Sequence, residues 1–372
     1  MNYGLLIKHP GEFGVNESFW NKKNVFLTGH SGFKGSWLSI WLNKIGANVT
    51  GYSLAPNTSP NLFDVCSVKE KCNSIFADIR NYKRLEQELI KSDPEIIIHM
   101  AAQPLVLDSY EDPIETYSSN VMGTVNLMNI SRGLNKLRCI LVITTDKCYE
   151  NQEFNEPFIE GNPLGGYDPY SSSKACAEIA TAAFRSSFFN VQDYGKTHHV
   201  CVATARAGNV IGGGDWSRNR LLPDFIRGIS NSSCVSIRNP LATRPWQHVL
   251  EPLAGYLTLC EKMFNNGNQY SESWNFGPNK GSAKNVEWIA RKFKEIWGES
   301  FEYEIDNSKS NSHEANFLEL DSTKAIQSLG WDRRYSIDET INNTINWYRC
   351  FLNKESSMLD FTLNQIDEYQ KL

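Results

Sequence analysis

Apolar residues fall in two rhythms along the first half of the chain, and the rhythms take turns. Val25 to Thr28 form a short apolar run that reads as a buried strand. Trp37, Leu38, Trp41, Leu42 and Ile45 then recur at helical spacing and predict a helix over Ser36–Ile45. Asn48–Leu54 reads as a second strand, and a third short strand ends just before Ala77. Tyr82–Lys91 follows as a helix and Pro94–Met100 as a strongly buried strand. A long helix is expected over Pro113–Gly133, where Tyr117, Asn120, Val121, Thr124, Leu127 and Met128 are the marked positions. Arg138–Thr144 is again a buried strand. Pro169 opens a helix to about Phe189 with Asp168 as its N-cap, and His199–Ala205 is a further strand. Alternating strands and helices predict a parallel, doubly wound α/β sheet.

After Arg206 the alternation stops. Gly212 to Gly214 and Pro223, Pro240, Pro245 and Pro252 cut the chain into short pieces, the habit of a smaller lobe closing over a site. Asn265–Ser273 and Asp306–Ser312 read as exposed loops, and Asn151–Asp168 as a loop over the site. The expected organisation is a polar leader over 1–20, a nucleotide-binding domain over 21–206, a mixed substrate lobe over 207–350 with segments returning to the first domain, and a tail over 351–372.

Between the first strand and first helix stand Gly29, Gly32 and Gly35. Glycines at this spacing allow a tight turn, let backbone approach a pyrophosphate, and pack helix close to strand. The helix start then favours the phosphate charge. The second strand ends at Tyr52-Ser53-Leu54, without the carboxylate that often binds a cofactor ribose. Asp78, after the third strand, either reaches the adenine edge or simply closes a turn. Ala101 and Ala102, just past a strand's carboxyl end, leave room for a ligand against the backbone.

Composition narrows the partners. The chain of 372 residues carries a net charge of −5, which offers no electrostatic footprint for nucleic acid. Any anionic ligand must be held by a local arginine cluster. Nine cysteines without paired spacing suggest reduced thiols in a cytoplasmic protein, with neither a disulfide framework nor a metal site. No apolar run is long enough for a membrane span, and the first residues show no signal peptide.

Tyr170 and Lys174 are four apart on a predicted helix, so phenol and ammonium share one face. Alone, such a pair is most simply two neighbours on an exposed helix. Behind a glycine turn and five strands, it suits a base whose phenolate is stabilised by positive charge. Thr145-Asp146-Lys147 ends a strand on the same edge. Thr145 suits a hydrogen bond to a reacting hydroxyl, Asp146 a general acid and Lys147 a base or electrostatic partner. A solvated turn with Asp146 and Lys147 paired is the equal alternative. Arg206, Asn209, Arg220, Arg244 and His248 add cations and polar groups suited to a diphosphate and a sugar, although any one arginine is more simply a surface or inter-lobe ion pair.

Together these residues resemble the extended short-chain dehydrogenase/reductase family, in its NAD-dependent epimerase/dehydratase group. The resemblance runs from about Phe19 to Trp347. It is carried by Thr28–Trp37, His99–Leu105, Asp146–Tyr149, Gly165–Tyr170, Arg206–Trp216 and Arg244–Pro252. Lys147, where related dehydratases generally carry glutamate, and the Gly-Gly-Gly-Asp-Trp run are similar to the branch acting on CDP-glucose. The resemblance implies a Rossmann-type fold and a sugar-nucleotide 4,6-dehydratase serving deoxysugar synthesis of the O-antigen type, with 4-epimerase or reductase chemistry as the alternative and a non-catalytic NAD-sensing binding protein as the third reading. It implies NAD, retained through the cycle, held by Gly29, Ser31, Gly32, Phe33, Lys34, Gly35, Ser53, Asp78, Ile79, Ala101, Ala102, Gln103, Tyr170 and Lys174. Thr145, Asp146, Lys147, Tyr170 and Lys174 would be catalytic. Gln103, Asn209, Arg220, Arg244 and His248 would bind a nucleotide sugar, with CDP-glucose expected. A homodimer or homotetramer through the helices over 113–133 and 169–189 is implied. Leu107-Asp108, the loop from Phe154 to Ile159, and Asn219 depart from the family pattern on the substrate side.

Overall fold

The computed structural model describes residues 14–151, 156–278, 282–306 and 318–372. Seven parallel strands form its central sheet: β1 (Asn24–Thr28), β2 (Asn48–Ser53), β3 (Asn73–Phe76), β4 (Ile96–His99), β5 (Cys139–Ile143), β6 (Cys201–Ala207) and β7 (Ser273–Phe276). Their order is β7-β6-β5-β4-β1-β2-β3. The order reverses between β1 and β4, and at such a reversal the carboxyl ends of an open sheet form a ligand crevice.

Helices cover both faces because alternate side chains of each strand point to opposite layers. Val25 and Leu27 of β1 join Trp37, Leu38 and Trp41 of helix α1 (Phe33–Lys44) in one core. Phe26 joins the opposite core with Leu85 and Leu89 of α2 (Tyr82–Ser92), and with Leu127 and Met128 of α3. Helix α3 is continuous through Pro113–Tyr117, a π-helical turn at Ser118–Met122, and Gly123–Ser131. Beside it lies α4 (Pro169–Ser187), opened by Pro169 and capped by Asp168, whose carboxylate accepts from Ser171 N at 2.9 Å.

The second half is less separate than its broken pattern suggests. Helices α5 (Leu221–Ser230), α6 (Leu250–Asn266), α7 (Val286–Trp297), α8 (Ile337–Asn353) and α9 (Met358–Lys371) follow in order. Short strands pair at Val235–Ile237 with Tyr303–Ile305, and at Thr243–Pro245 with Ala283–Asn285. β7 extends the central sheet beside β6 from within a stretch where only a loop was expected through Ser273. Its four residues, Ser-Trp-Asn-Phe, are too short and mixed to show a period, and the pairing with β6 makes them a strand.

Both expected chain ends are corrected. Val15 and Trp20, in the segment read as a leader, are buried in the main core. The segment read as a tail ends in α9, where Ile366 and Tyr369 are buried, Tyr369 packs edge-on against Trp41, and Asp367 pairs with Lys44. Residues 1–13, Phe154 of the Phe154–Ile159 loop and residues 307–312 of the expected Asp306–Ser312 loop lie outside the described residues. Among the described residues, no helix is long and apolar enough to cross a membrane.

Candidate active site

The glycine turn sits at the sheet reversal, and each glycine there has a separate steric reason. Gly29 has φ +76°, and a side chain on it would stand 2.8 Å from Ala101 N, so only glycine lets β1 end against the end of β4. A Cβ on Gly35 would reach 2.0 Å from Gly29 O, which fixes how tightly α1 docks on the turn. Gly32 differs. It is exposed, with Gly29 O at 3.4 Å as the nearest atom to a Cβ, and it caps α1 without any side-chain hydrogen bond. An open glycine at an uncapped helix N-terminus fits a pyrophosphate, and Phe33 and Lys34 form the helix's first positions. This cradle fits a dinucleotide cofactor.

Thr28 ties the turn to β4. Its Oγ1 accepts from Met100 N and Ala101 N, both at 3.0 Å, so its own proton goes to His99 Nδ1 at 2.7 Å. His99 Nε2 must then donate to Thr124 Oγ1, at 3.0 Å. Burial holds that imidazole neutral, pushed down to about 3. At the end of β2 hydroxyls stand where a carboxylate was missing. Ser53 Oγ donates to Ser31 Oγ at 2.8 Å and accepts from His30 Nδ1 at 2.9 Å, while Ser31 donates to Leu54 O. Asp78 is engaged by Arg80, which holds its carboxyl below the usual range and also contacts Glu115. Ile79 is buried against Gly123.

A cavity of about 310 Å³ opens beside the turn. Its wall combines Phe33 and Lys34 with Thr145, Asp146, Lys147 and Tyr170, and with Asn209, Arg220 and Arg244 from the second half. The departing residues Leu107 and Asn219 line it as well, with Asn219 in a left-handed conformation at φ 61°. Trp246 and Arg238 also line it. Neither was assigned from sequence, and a single arginine after the short strand Val235–Ile237 gave no spacing signal.

Tyr170 lies in the first turn of α4, and Lys174 one turn on donates from Nζ to Ile143 O at 3.1 Å. Burial and the neighbouring Lys34 push the Lys174 ammonium down to about 7. Burial pushes the Tyr170 phenol up to about 12, against the pull of a Thr145 hydrogen bond and the Arg220 charge. The lowering expected from Lys174 therefore does not prevail in the protein alone, because desolvation outweighs the nearby cations. Lys34 is itself pushed down to about 8 by burial and Arg220.

Asp146 is 2% exposed. Its Oδ1 accepts from Thr145 Oγ1 at 3.0 Å, whereas Oδ2 is buried without a partner. Burial raises this carboxyl above its ordinary value, although Lys147, Thr145 and Arg244 pull it back. A carboxyl whose acid form is favoured beyond the ordinary balance, facing a cavity, is suited to donate a proton. With Asp146 buried, this segment is not the solvated surface turn of the alternative.

Two expected ligands, His248 and Gln103, fall off the cavity wall, and Arg206 takes the ion-pair reading. His248 is fully buried between Trp37 and Tyr335, its imidazole pushed down to about 3 by burial, and it does not line the cavity. Gln103 also stays off the wall, because its amide donates to Leu105 O at 2.9 Å and Thr116 Oγ1 at 3.0 Å and so braces its own loop. Arg206 forms a buried ion pair with Glu178 at 2.8 Å, and Glu178 also accepts from Thr144 and Thr204. Spacing cannot separate these buried polar groups from ligands, since both occur at strand ends. Arg220 does face the cavity, held by Asp215 at 2.8 Å.

The model of the GDP-mannose 4,6 dehydratase family matches residues 26–344. A CDP-glucose 4,6-dehydratase of Salmonella typhimurium is 46% identical over 355 residues, covering 95% of this chain and 98% of the relative. A dTDP-D-glucose 4,6-dehydratase of Mus musculus is 26% identical over 356 residues, covering 91% of this chain and 90% of the relative. Among solved structures, a UDP-glucose 4-epimerase from Thermotoga maritima superposes with a TM-score of 0.75 at 20% identity, covering 88% and 99% of the two chains. A dTDP-glucose 4,6-dehydratase from Streptomyces venezuelae, solved with NAD, gives 0.73 at 19%, covering 87% and 96%. With the family model spanning most of its length and a relative nearly half identical end to end, this chain belongs to the GDP-mannose 4,6 dehydratase family.

Proposed function

We propose that this protein is an NAD-dependent CDP-glucose 4,6-dehydratase, a hydro-lyase that forms CDP-4-keto-6-deoxyglucose with loss of water. The observation that carries the reading is the buried, raised Asp146 carboxyl on the same cavity as Tyr170, with Lys147 beside it. An epimerase or reductase needs Tyr170 and Lys174 but has no use for an added acid and second base. The 46% identity to a CDP-glucose 4,6-dehydratase supports CDP-glucose among the nucleotide sugars.

Bound NAD would supply a hydride carrier between C4 and C6 of the sugar. The cradle residues Gly29, Gly32, Phe33, Lys34 and Gly35 would hold its pyrophosphate, and Ser31 and Ser53 would offer hydroxyls at the end of β2. Tyr170 removes the proton of the 4-hydroxyl, and Thr145 orients both. For this the phenol must fall from its raised value, and the Thr145 hydrogen bond and the Arg220 charge favour that change. The resulting 4-ketone acidifies the C5 hydrogen, which Lys147 removes. Asp146 protonates the departing 6-hydroxyl, and Lys147 returns its proton to C5. Arg220, Arg244, Asn209 and the previously unassigned Arg238 line the side suited to the diphosphate and nucleoside.

The exposed Ile114, Met122 and Ile179 on α3 and α4 support assembly with a second copy through those helices. Free thiols at all nine cysteines support a reducing cytoplasmic setting, where nucleotide sugars for deoxysugar polysaccharides would be made.

Purified protein supplied with NAD and CDP-glucose should give a product lighter by one water, with the alkaline absorbance of a 4-keto sugar. A product of unchanged mass would favour 4-epimerisation. No conversion of any glucose nucleotide would end the dehydratase reading.

A further inference from the structure

Asp146 and Lys147 belong to one short 3₁₀ turn, Asp146–Cys148, capped by Thr145. A single turn after a strand has little structure of its own to hold it in place. Elimination nevertheless needs both side chains fixed against Tyr170, which stands on a different element, α4. What fixes them is a buried polar group behind the cavity wall.

Tyr170, Lys174 and Glu178 follow at four-residue spacing along one face of α4. Glu178 lies two turns, about 12 Å, beyond Tyr170, so it acts on the site only through other residues. It pairs with Arg206 of β6 through both oxygens, Nε to Oε1 at 3.0 Å and Nη2 to Oε2 at 2.8 Å. This pair reaches the turn from both sides. On the near side, Thr144 donates to Glu178 Oε1, immediately before Thr145. On the far side, Arg206 Nη1 donates to the Tyr149 hydroxyl at 2.7 Å, immediately after Cys148. Tyr149 gives its own proton to Asn275 Oδ1 at 2.8 Å, and the guanidinium lies over its ring, 4.8 Å from the centroid. The same Nη1 donates to Glu160 O at 3.1 Å, in the loop over the site. Thr204 of β6 donates to Glu178 Oε2 at 2.7 Å and Asn275 belongs to β7, so the pair is anchored in the sheet. Arg206, Glu178 and Tyr149 are all buried, which strengthens these bonds and shields them from water.

Resting on the dehydratase reading, we propose that the Glu178–Arg206 pair clamps the catalytic turn, with Tyr149 as the positioning residue at its far end. Through Thr144 and Tyr149 the pair holds the chain on either side of Thr145–Cys148. It thereby sets the turn in register with α4, so that Asp146 and Lys147 meet the sugar that Tyr170 oxidises. The two ends are not equivalent. Thr145, which serves the oxidation, adjoins the Thr144 anchor, and Lys174 is held separately by its bond to Ile143 O. Asp146 and Lys147, which serve the elimination, depend on the Tyr149 anchor as well. Releasing Tyr149 therefore loosens the second half of the reaction and spares the first.

The test is Tyr149→Phe, which keeps the ring under Arg206 and removes both hydrogen bonds of the hydroxyl. The control is Tyr369→Phe, which removes a buried phenolic hydrogen bond to Glu251, at 2.9 Å, away from the cavity wall. Each full-length enzyme, loaded with NAD, is mixed with CDP-glucose, and reduced cofactor and water loss are followed separately over the first turnover. Misplacing a catalytic group by about 1 Å costs about 100-fold. Tyr149→Phe should therefore slow water loss by about 10–100-fold and C4 oxidation by no more than about threefold, so that reduced cofactor accumulates. Without substrate, amide hydrogen exchange should quicken over residues 145–149 and stay unchanged in α4. Tyr369→Phe, whatever its melting temperature, should keep the wild-type ratio of the two steps. The same ratio in Tyr149→Phe, or a split of equal size in Tyr369→Phe, would reveal a general loss of stability and overturn the clamp. So would unchanged exchange over residues 145–149. A wild-type enzyme that releases no water from CDP-glucose would instead end the dehydratase reading, and the clamp with it.

Discussion

Replacing Asp146 by asparagine probes the feature that separates elimination from simple oxidation. Asparagine matches aspartic acid in shape, and its Oδ1 can still accept from Thr145 Oγ1. What is lost is an acidic proton at a buried position whose second oxygen has no protein partner to take over. General-acid catalysis is worth about 10²–10⁴ in rate. The burial argues for the upper part of that range, a barrier increase of about 4–5 kcal/mol. Oxidation at C4 needs no proton from Asp146 and should change by no more than about threefold, the worth of less than one ordinary hydrogen bond. The assay is stopped flow, following the absorbance of reduced cofactor for oxidation and quenched product for water loss. The variant should accumulate reduced cofactor and release almost no product. Equal slowing of both steps would refute the general-acid role. A stability signature should accompany the kinetic one. Burial raises the Asp146 carboxyl in the folded state, so the wild-type site is most favourable below the ordinary carboxylate range and loses stability as pH rises through the raised value. Asp146→Asn should remove that loss and leave the variant at least as stable as wild type at neutral pH by thermal melting.

Other predictions follow from the cradle, the buried ion pair and the helix face. Gly32→Ala meets only an ordinary contact, Gly29 O at 3.4 Å, and should fold normally while weakening NAD in calorimetric titration. Gly35→Ala forces a Cβ to 2.0 Å from Gly29 O and should cost about 3 kcal/mol of stability in denaturant melts. A Gly35→Ala protein as stable as wild type would contradict the turn geometry. Arg206→Met strands the Glu178 carboxylate and should lower stability by about 3–5 kcal/mol, whereas loss of substrate affinity alone would restore Arg206 as a ligand. Ile114→Glu with Ile179→Glu should reduce the mass measured by light scattering to that of a single chain. Unchanged mass would remove α3 and α4 from the assembly surface.

Much of this site was legible in the sequence because its strands announce themselves. β1, β4 and β5 are continuous apolar runs, as strands buried on both faces must be, and each delivers chemistry to the same sheet edge. The glycine turn, the Thr145–Lys147 segment and the Tyr170–Lys174 pair could therefore be placed together before any coordinates. His248, Gln103 and Arg206 could not be settled from sequence for a shared reason. A polar residue at a strand end can turn toward ligand or brace the protein, and only tertiary partners such as Glu178, Thr116 or the Trp37–Tyr335 sandwich decide which. β7 and the packed chain ends were hidden differently. Val15, Trp20 and Tyr369 are single apolar residues in polar company, and their burial depends on surfaces supplied by distant segments such as α1.

The account turns on one claim, that a hydride leaves C4 and comes to rest at C6 of the same sugar. CDP-glucose carrying deuterium on C4 tests this directly when the product is examined by NMR and mass spectrometry. The proposed dehydratase predicts a 4-keto-6-deoxy product with the deuterium on C6. Deuterium remaining on C4 of a sugar that has lost no water, or a dehydrated product that has lost the label to solvent, would contradict it.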